Sequence, residues 1–223
     1  MGENISAELY VGDVLKDIIP AYSMKAYCMN QLASSTDEDG TLRALLVSIL
    51  NYGAEAQLYF EKDVENLATS ELTDVQKGYL SNYDINQATG VVTDKVTGTP
   101  DENYTWNAAT LGLYDLIKVR FKFTATDIAN TRIQIGDVIY DAEDFASAGG
   151  GKYIVYSEGI FATDFDKTIT AMFIDEQGNQ IGEKVEYSVN TYLSYINGLQ
   201  ESAAKDIVQA IYNYGMASAL YGK

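Results

Sequence analysis

Two stretches of the chain show the apolar spacing of amphipathic helices. Between residues 41 and 60, apolar side chains recur every three or four positions, which is the spacing of one face of an α-helix, and a similar stripe runs through residues 204–222. A shorter apolar stripe precedes each of them and begins after Ser23 or Ser188, and serine is a preferred helix N-cap. The pattern predicts two helical hairpins, over residues 23–80 and 188–223.

The two predicted hairpins share sequence motifs as well as spacing. The stretch from Tyr22 to Tyr27 resembles residues 187–192, and Asn51-Tyr52-Gly53 returns as Asn213-Tyr214-Gly215. Such an internal repeat indicates two related structural units. Because a glycine inside a helix costs about 1 kcal/mol against alanine, we predict that these two glycines let another backbone come close. The neighbouring asparagines and tyrosines are expected to bond across that contact.

The middle of the chain alternates apolar and polar side chains with a period of two, as a strand with one buried face does. Several short runs of this kind are separated by turn residues, and no helical pattern lies between them. We therefore predict an antiparallel β-sandwich of immunoglobulin or fibronectin-III type over residues 106–187. The strand candidates are residues 117–123, 131–135, 138–140, 153–156, 169–174 and 181–187.

One predicted strand carries a basic row, Lys118, Arg120 and Lys122, in an otherwise acidic chain. We expect these side chains to pair with acidic residues on an adjacent strand, such as Glu183 or Glu186. An anionic polymer or a cell-wall component is the alternative partner.

The remaining segments complete the predicted domain organisation. Residues 1–22 resemble the last hairpin of the sandwich with a shorter turn, so we predict a β-hairpin there and interpret it as the remnant of a preceding sandwich. Residues 81–105 are polar and contain glycine and proline, which favours a connector. The predicted fold class is α+β, an antiparallel immunoglobulin- or fibronectin-III-like β-sandwich with two related helical hairpins.

Composition limits the classes of partner. The 223 residues carry a net charge of −17 with only 15 lysines and arginines, which disfavours nucleic acid as a partner. No apolar run approaches the roughly 20 residues of a membrane span, so no membrane insertion is expected. We expect an extracellular or cell-surface protein whose signal peptide has been removed ahead of Met1. Cys28, the single cysteine, excludes an intramolecular disulfide and lies on an apolar stripe.

The chain contains no histidine, which excludes Ser-His-Asp and Cys-His nucleophile systems and imidazole-dependent zinc sites. We therefore predict that it is not an enzyme and needs no cofactor. The remaining catalytic scheme is glycoside hydrolysis by two carboxylates at the right separation in a cleft.

Two small groups of residues are candidates for binding. Trp106 with Tyr104 is a candidate platform for stacking a sugar ring, with core packing as the alternative. Asp164 and Asp166 alternate around Phe165, so on an extended chain both carboxylates project to one face and can hold calcium. Among 32 aspartates and glutamates, however, such pairs also arise by chance.

Several stretches resemble secreted or surface proteins of gut Clostridia, which are Gram-positive, in modules with a Tyr-Ser-Val helix start and an Asn-Tyr-Gly helix. The resemblance implies export and a modular, surface-associated setting. That family carries no established activity, so no functional residue is transferred from it. The matching stretches are residues 22–27, 51–60, 162–171, 187–192 and 213–215.

Taken together, the sequence predicts a non-catalytic structural or interaction module of a secreted or surface-attached bacterial protein. Its expected partners are other domains of the parent protein, and a surface glycan or protein. The alternative is a carbohydrate-binding module that works with or without calcium.

Overall fold

A computed structural model of the chain describes residues 5–11, 13–36, 38–113 and 116–222, of which 5–11 and 15–22 are described by their backbone. The predicted α+β class is confirmed, because these residues form eleven strands and five α-helices. The strands are β1 (Ile5–Val11), β2 (Val14–Tyr22), β3 (Lys95–Gly98), β4 (Tyr104–Leu113), β5 (Ile117–Ala125), β6 (Ile133–Ile135), β7 (Val138–Tyr140), β8 (Ala146–Ser147), β9 (Lys152–Tyr156), β10 (Ile169–Ile174) and β11 (Gln180–Tyr187). The α-helices are α1 (Met24–Ser34), α2 (Thr41–Tyr59), α3 (Asp74–Lys77), α4 (Val189–Gly198) and α5 (Lys205–Tyr221).

The chain divides into two compact units. Unit 1 contains residues 1–83 and 201–223, and unit 2 contains residues 84–200. This division differs from the predicted domains, because α4 lies in unit 2 whereas α5 lies in unit 1. The physical reason is the set of hydrogen bonds that each helix makes. Side chains of α4 bond to the backbone of residues 89 and 91, and side chains of α5 bond to residues 82 and 83.

Unit 1 is built around helices. The hydroxyl of Ser23 accepts a hydrogen bond from the N–H of Ala26 at 3.1 Å and caps α1. Helix α2 begins after Gly40, whose φ of +76° is the left-handed conformation that favours glycine. Helix α2 packs against α1 and, more extensively, against α5. One core cluster contains Cys28, Leu32, Leu46, Val47, Leu50, Ala54, Ala68 and Leu72.

Unit 1 also contains the N-terminal hairpin. Strands β1 and β2 pair antiparallel, with Ile5 opposite Tyr22, and within the described residues they form a two-stranded sheet of their own. The predicted hairpin covers residues 1–22, of which 1–4 and 12 lie outside the described residues.

Unit 2 contains two antiparallel sheets. The five-stranded sheet has the order β3-β11-β10-β6-β7, and the four-stranded sheet has the order β4-β5-β9-β8. In β5, Val119, Phe121 and Phe123 are fully buried while the residues between them are partly exposed, which is the predicted alternation. The sheets contact each other through aromatic side chains, since Trp106 of β4 stacks on Phe173 of β10 with ring centroids 4.4 Å apart.

Three strands are missing from the sequence prediction: β3, β4 and the two-residue β8. The connector predicted at residues 81–105 contains β3, which pairs with β11, and β4 begins at Tyr104. All four residues of β3 are exposed, so no alternation marks it. Strand β4 was missed because much of it consists of small residues such as Ala108, Ala109 and Gly112, which give little hydrophobic contrast.

The expected pairing of the basic row with Glu183 or Glu186 is wrong. Strand β5 lies between β4 and β9, whereas both glutamates lie on β11 in the other sheet. The Glu186 carboxylate instead accepts a hydrogen bond from the Lys184 ammonium at 2.9 Å, which lowers the pKa of Glu186.

None of the helices in the part of the chain that the structure describes has the length and apolar character needed to cross a membrane.

Candidate functional site

The predicted sugar-stacking pair, Trp106 and Tyr104, lies against the opposite sheet. Trp106 stacks on Phe173, and its indole Nε1–H donates a hydrogen bond to the carbonyl of Glu183 at 2.8 Å. The ring centroids of Tyr104 and Phe173 lie 4.7 Å apart. Both aromatic rings therefore contribute to packing between the sheets, and the indole N–H is used internally.

The predicted calcium pair does not have the expected backbone conformation. Asp164 ends a short 3₁₀ turn, Ala162–Asp164, so the extended chain assumed for the two carboxylates is absent there. The Asp164 carboxylate pairs with the Lys167 ammonium at 2.9 Å, and the Asp166 carboxylate lies 3.5 Å from the hydroxyl of Thr89. Within the described ranges, no group of three or more cysteines, aspartates and glutamates is placed to hold a metal ion.

The two Asn-Tyr-Gly triplets lie in α2 and α5, which pack against each other in unit 1. The rings of Tyr52 and Tyr214 stack at a centroid distance of 6.0 Å and an angle of 8°. Burial raises the pKa of both phenols. Gly53 and Gly215 are both buried, and the close backbone approach expected at them stays a prediction.

Asn213 bonds to a loop segment instead of bonding across the helix pair. It is only 1% exposed. Its Oδ1 accepts hydrogen bonds from the N–H of Tyr83 and from Gln209 Nε2, both at 3.0 Å, and its Nδ2 donates to Asn82 Oδ1 at 3.0 Å. Asn213 therefore fastens residues 82–83 to α5.

Cys28 is fully buried in the core of unit 1. Burial raises the pKa of its thiol to about 11. A thiol that remains protonated at neutral pH is a poor nucleophile, so the side chain acts as a small apolar group.

A cleft in unit 2 is the strongest candidate for a functional site. It has a volume of about 550 Å³, and its walls come from segment 85–94, Ala109 and Thr110 of β4, the end of β11 and one face of α4. We call it the α4 cleft. Its larger polar side chains are Asn86, Asp94, Tyr187, Tyr192, Tyr195 and Asn197.

Helix α4 is held against segment 85–94 by hydrogen bonds at its N-terminus. Ser188 caps the helix by accepting a bond from the N–H of Thr191 at 3.1 Å. The hydroxyls of Ser188 and Thr191 both donate hydrogen bonds to the carbonyl of Val91. Asn190 is buried, and its Nδ2 donates to the carbonyl of Thr89 at 3.0 Å. The first turn of α4 is thus fixed to one wall of the cleft.

A second chain of hydrogen bonds ties the C-terminal end of α4 to the same segment. Asn197 Nδ2 donates to Asn86 Oδ1 at 3.1 Å, and Asn86 Nδ2 donates to Asp84 Oδ1 at 2.8 Å. The backbone N–H of Asn86 also donates to Asp84, and these bonds lower the pKa of that carboxyl. The two cleft amides therefore have defined orientations before any ligand binds.

Three tyrosines surround the cleft at different depths. Tyr187 is only 4% exposed, whereas Tyr195 is 64% exposed and lies at the opening. Burial raises the pKa of Tyr187, and the nearby Asp94 carboxylate and Tyr192 raise it further. The phenol of Tyr187 is therefore neutral in the folded protein at physiological pH.

The charged side chains that line the α4 cleft in the described part of the chain are few. Among the described residues that line it there is neither lysine nor arginine, and Asp94 is the one carboxylate. Retaining and inverting glycosidases require two carboxyl groups on either side of the scissile bond. The arrangement can donate and accept hydrogen bonds and can present aromatic rings.

Sequence reasoning missed this cleft. Tyr195 is exposed and lies off the buried stripe of Val189, Leu193 and Ile196, so an aromatic side chain outside the core stripe was an available signal. Asp94 gave no such signal, because its position depends on how the connector runs across α4.

Comparison of the chain with known protein families, with curated proteins and with solved structures finds no match in any of the three.

Proposed function

We propose that the chain is a non-catalytic structural or interaction module of a secreted or surface-attached bacterial protein. The observation that carries the proposal is that both recurring tyrosines and Asn213 make contacts inside unit 1. Tyr52 stacks on Tyr214, and Asn213 binds residues 82–83. A motif used twice for packing favours a scaffold.

The non-catalytic assignment is supported by the absence of histidine in the sequence and by the chemistry of the α4 cleft. Its lining supplies one carboxylate, Asp94, among the described residues. Cys28, the one thiol, is buried with a raised pKa. General acid–base or nucleophilic catalysis needs at least two groups with matched roles.

We propose that unit 2 is a β-sandwich of immunoglobulin or fibronectin-III type. Two features support this assignment. Its sheets are antiparallel with five and four strands, and Trp106 and Phe173 bring their inner faces together.

We also propose that the chain contains two copies of a larger unit, a β-hairpin followed by a helix pair. The β1–β2 hairpin ends at Tyr22, directly before the capping Ser23. The β10–β11 hairpin likewise ends at Tyr187, directly before the capping Ser188. Strands β10 and β11 are flanked by β6 and β3, whereas the described part of β1–β2 pairs only within itself. Another domain of the parent protein would then supply the neighbouring strands of β1–β2.

Export is supported by the resemblance to surface proteins of gut Clostridia, and the net charge of −17 is compatible with an extracellular setting. Localisation and a modular parent can be tested together in the bacterium that encodes the chain. An antibody raised against the 223-residue chain is used on fractionated cells and on intact cells treated with external protease.

We expect the antibody to detect a larger protein in the cell-wall or medium fraction that external protease degrades. A cytosolic enzyme on the same blot is the control for cell integrity. An antigen that stays in the cytosol and resists the protease would overturn the proposal.

A further inference from the structure

The α4 cleft has the electrostatic character of a site for uncharged ligands. Asp94 contributes a carboxylate, and no cationic side chain lies among the described lining residues. An anionic ligand would lose its hydration without gaining a counter-charge, and the chain's net charge of −17 adds repulsion. Phosphorylated and acidic ligands are therefore disfavoured.

The polar groups of the cleft match the hydroxyl groups of a sugar. An amide has two N–H donors and an oxygen that accepts two hydrogen bonds, so Asn86 and Asn197 retain bonding capacity beyond their mutual bond at 3.1 Å. The Asp94 carboxylate accepts hydrogen bonds from hydroxyl groups. Donors and acceptors are thus present together, as a polyhydroxylated ligand requires.

The aromatic groups supply the second element of sugar recognition. A pyranose ring has an apolar face of C–H groups, and such a face packs on an aromatic ring while the hydroxyls bond at the edges. Tyr195 is 64% exposed at the opening of the cleft, and Tyr192 lies one helical turn before it.

The cleft is also preformed and of suitable size. Its volume of about 550 Å³ is within the range of roughly 300–1,000 Å³ that is usual for small-molecule sites. Bonds from Thr191 to Val91 and from Asn190 to Thr89 fix its walls. A rigid site loses less conformational entropy when a ligand binds.

We propose that the α4 cleft binds a neutral carbohydrate, with the ring of Tyr195 stacking on a sugar face and Asp94, Asn86 and Asn197 bonding to its hydroxyls. This site is distinct from the predicted Trp106 and Tyr104 platform, whose rings pack between the sheets. It adds a ligand to the module and does not depend on the proposed structural role.

The test is affinity electrophoresis of the whole chain in native gels that contain a polysaccharide. The neutral probes are glucomannan, xyloglucan, arabinoxylan and starch, and the anionic probe is polygalacturonate. We expect slower migration with at least one neutral polysaccharide and none with polygalacturonate. Because the described lining has no metal cluster, EDTA is expected to leave the retardation unchanged.

Two variants test the assignment to the cleft. Tyr195→Ala removes the exposed ring, and Asp94→Asn removes the charge at nearly constant shape. Each is expected to weaken the apparent affinity about tenfold. Far-UV circular dichroism checks that both variants fold.

Matched controls are Phe161→Ala, which removes a 75% exposed ring outside the cleft, and Asp137→Asn in the exposed turn between β6 and β7. Both should change the affinity less than twofold. The proposal is overturned if no neutral polysaccharide retards the chain, if EDTA abolishes the retardation, or if both cleft variants bind as the unmodified chain does.

Discussion

The segment β1–β2–α1 and the segment β10–β11–α4 are built alike but have different surroundings. In both, an antiparallel hairpin ends in a tyrosine, a serine caps the helix, and the fifth helical residue, Cys28 or Leu193, is fully buried. In unit 1 the hairpin is a two-stranded sheet within the described residues, whereas β10 and β11 are neighbouring inner strands of a five-stranded sheet. The same local pattern therefore serves two tertiary settings.

The two helices also differ at the positions that in α4 line the cleft. Ser194, Tyr195 and Asn197 of α4 line the cleft, and the corresponding residues of α1 are Met29, Asn30 and Leu32. Leu32 belongs to the core cluster of unit 1. Equivalent positions therefore carry different side chains in the two helices, and those of α4 form a polar and aromatic wall of the cleft.

The second helical residue shows how each helix is fastened. The Lys25 ammonium donates to Asn66, to the carbonyl of Leu67 and to Ser70 at 3.1–3.3 Å, and it pairs with Glu71 at 2.8 Å. Asn190, the corresponding residue of α4, donates to Thr89 instead. Both positions hold a loop segment against the start of a helix, through different chemistry.

The largest expected effect distinguishes the two buried helical positions. Leu193→Ala leaves a cavity in unit 2 and should lower the free energy of unfolding by about 2–5 kcal/mol. Cys28→Ala should cost less, because it removes one sulfur atom from a site that is equally buried. Urea unfolding followed by circular dichroism and Trp106 fluorescence measures both, with the exposed Val75→Ala as the control. A smaller loss for Leu193→Ala than for Cys28→Ala would contradict the packing comparison.

The next effect concerns the helix caps. Ser23→Ala removes an N-cap and should cost about 1 kcal/mol. Ser188→Ala should cost about 2 kcal/mol, because the buried Ser188 hydroxyl also donates to the carbonyl of Val91. Thermal and urea unfolding measure the difference, and Ser34→Ala on the exposed end of α1 is the control. Equal losses at the two caps would show that the bond to Val91 adds nothing.

A smaller effect tests the contact between α2 and α5. In a double-mutant cycle, Tyr52→Leu and Tyr214→Leu should show a coupling energy of about 0.5–1.5 kcal/mol, because the two half-buried rings stack on each other. The exposed edge-on pair Tyr59 and Phe60 provides the comparison and should couple more weakly. Additive losses at positions 52 and 214 would argue against the stack.

Removing the Tyr187 hydroxyl is expected to change the stability least at neutral pH, and the change becomes larger at alkaline pH. The pKa of Tyr187 is raised in the folded protein, mainly by burial, so the protonated phenol contributes stability that is fully present below the unfolded value of about 10. That stability falls as the pH rises above about 10. The Tyr187→Phe variant lacks this titrating group. Its free energy of unfolding, compared with that of the unmodified chain, should therefore be higher at alkaline pH than at pH 7. Parallel stability profiles from pH 7 to 11 would contradict this.

Much of the local structure followed from side-chain periodicity. The stripes after Ser23 and Ser188 predicted α1, α2, α4 and α5, because helical spacing of apolar residues persists over many positions. The alternation along β5 predicted a half-buried strand for the same reason. Strand β3, with four exposed residues, and β4, with its small side chains, carried no such contrast.

The environment of the polar and aromatic residues depended on contacts between distant parts of the chain. Trp106 and Tyr104 are exposed or packed according to where Phe173 lies, and Asp94 reaches the cleft because the connector bonds to α4. Periodicity reports which face of an element is buried, but it does not report which other element covers that face. For this protein the order of helices and strands could therefore be predicted in large part from the residues alone, while the packing partners of its aromatic rings and the α4 cleft arose from the folded arrangement.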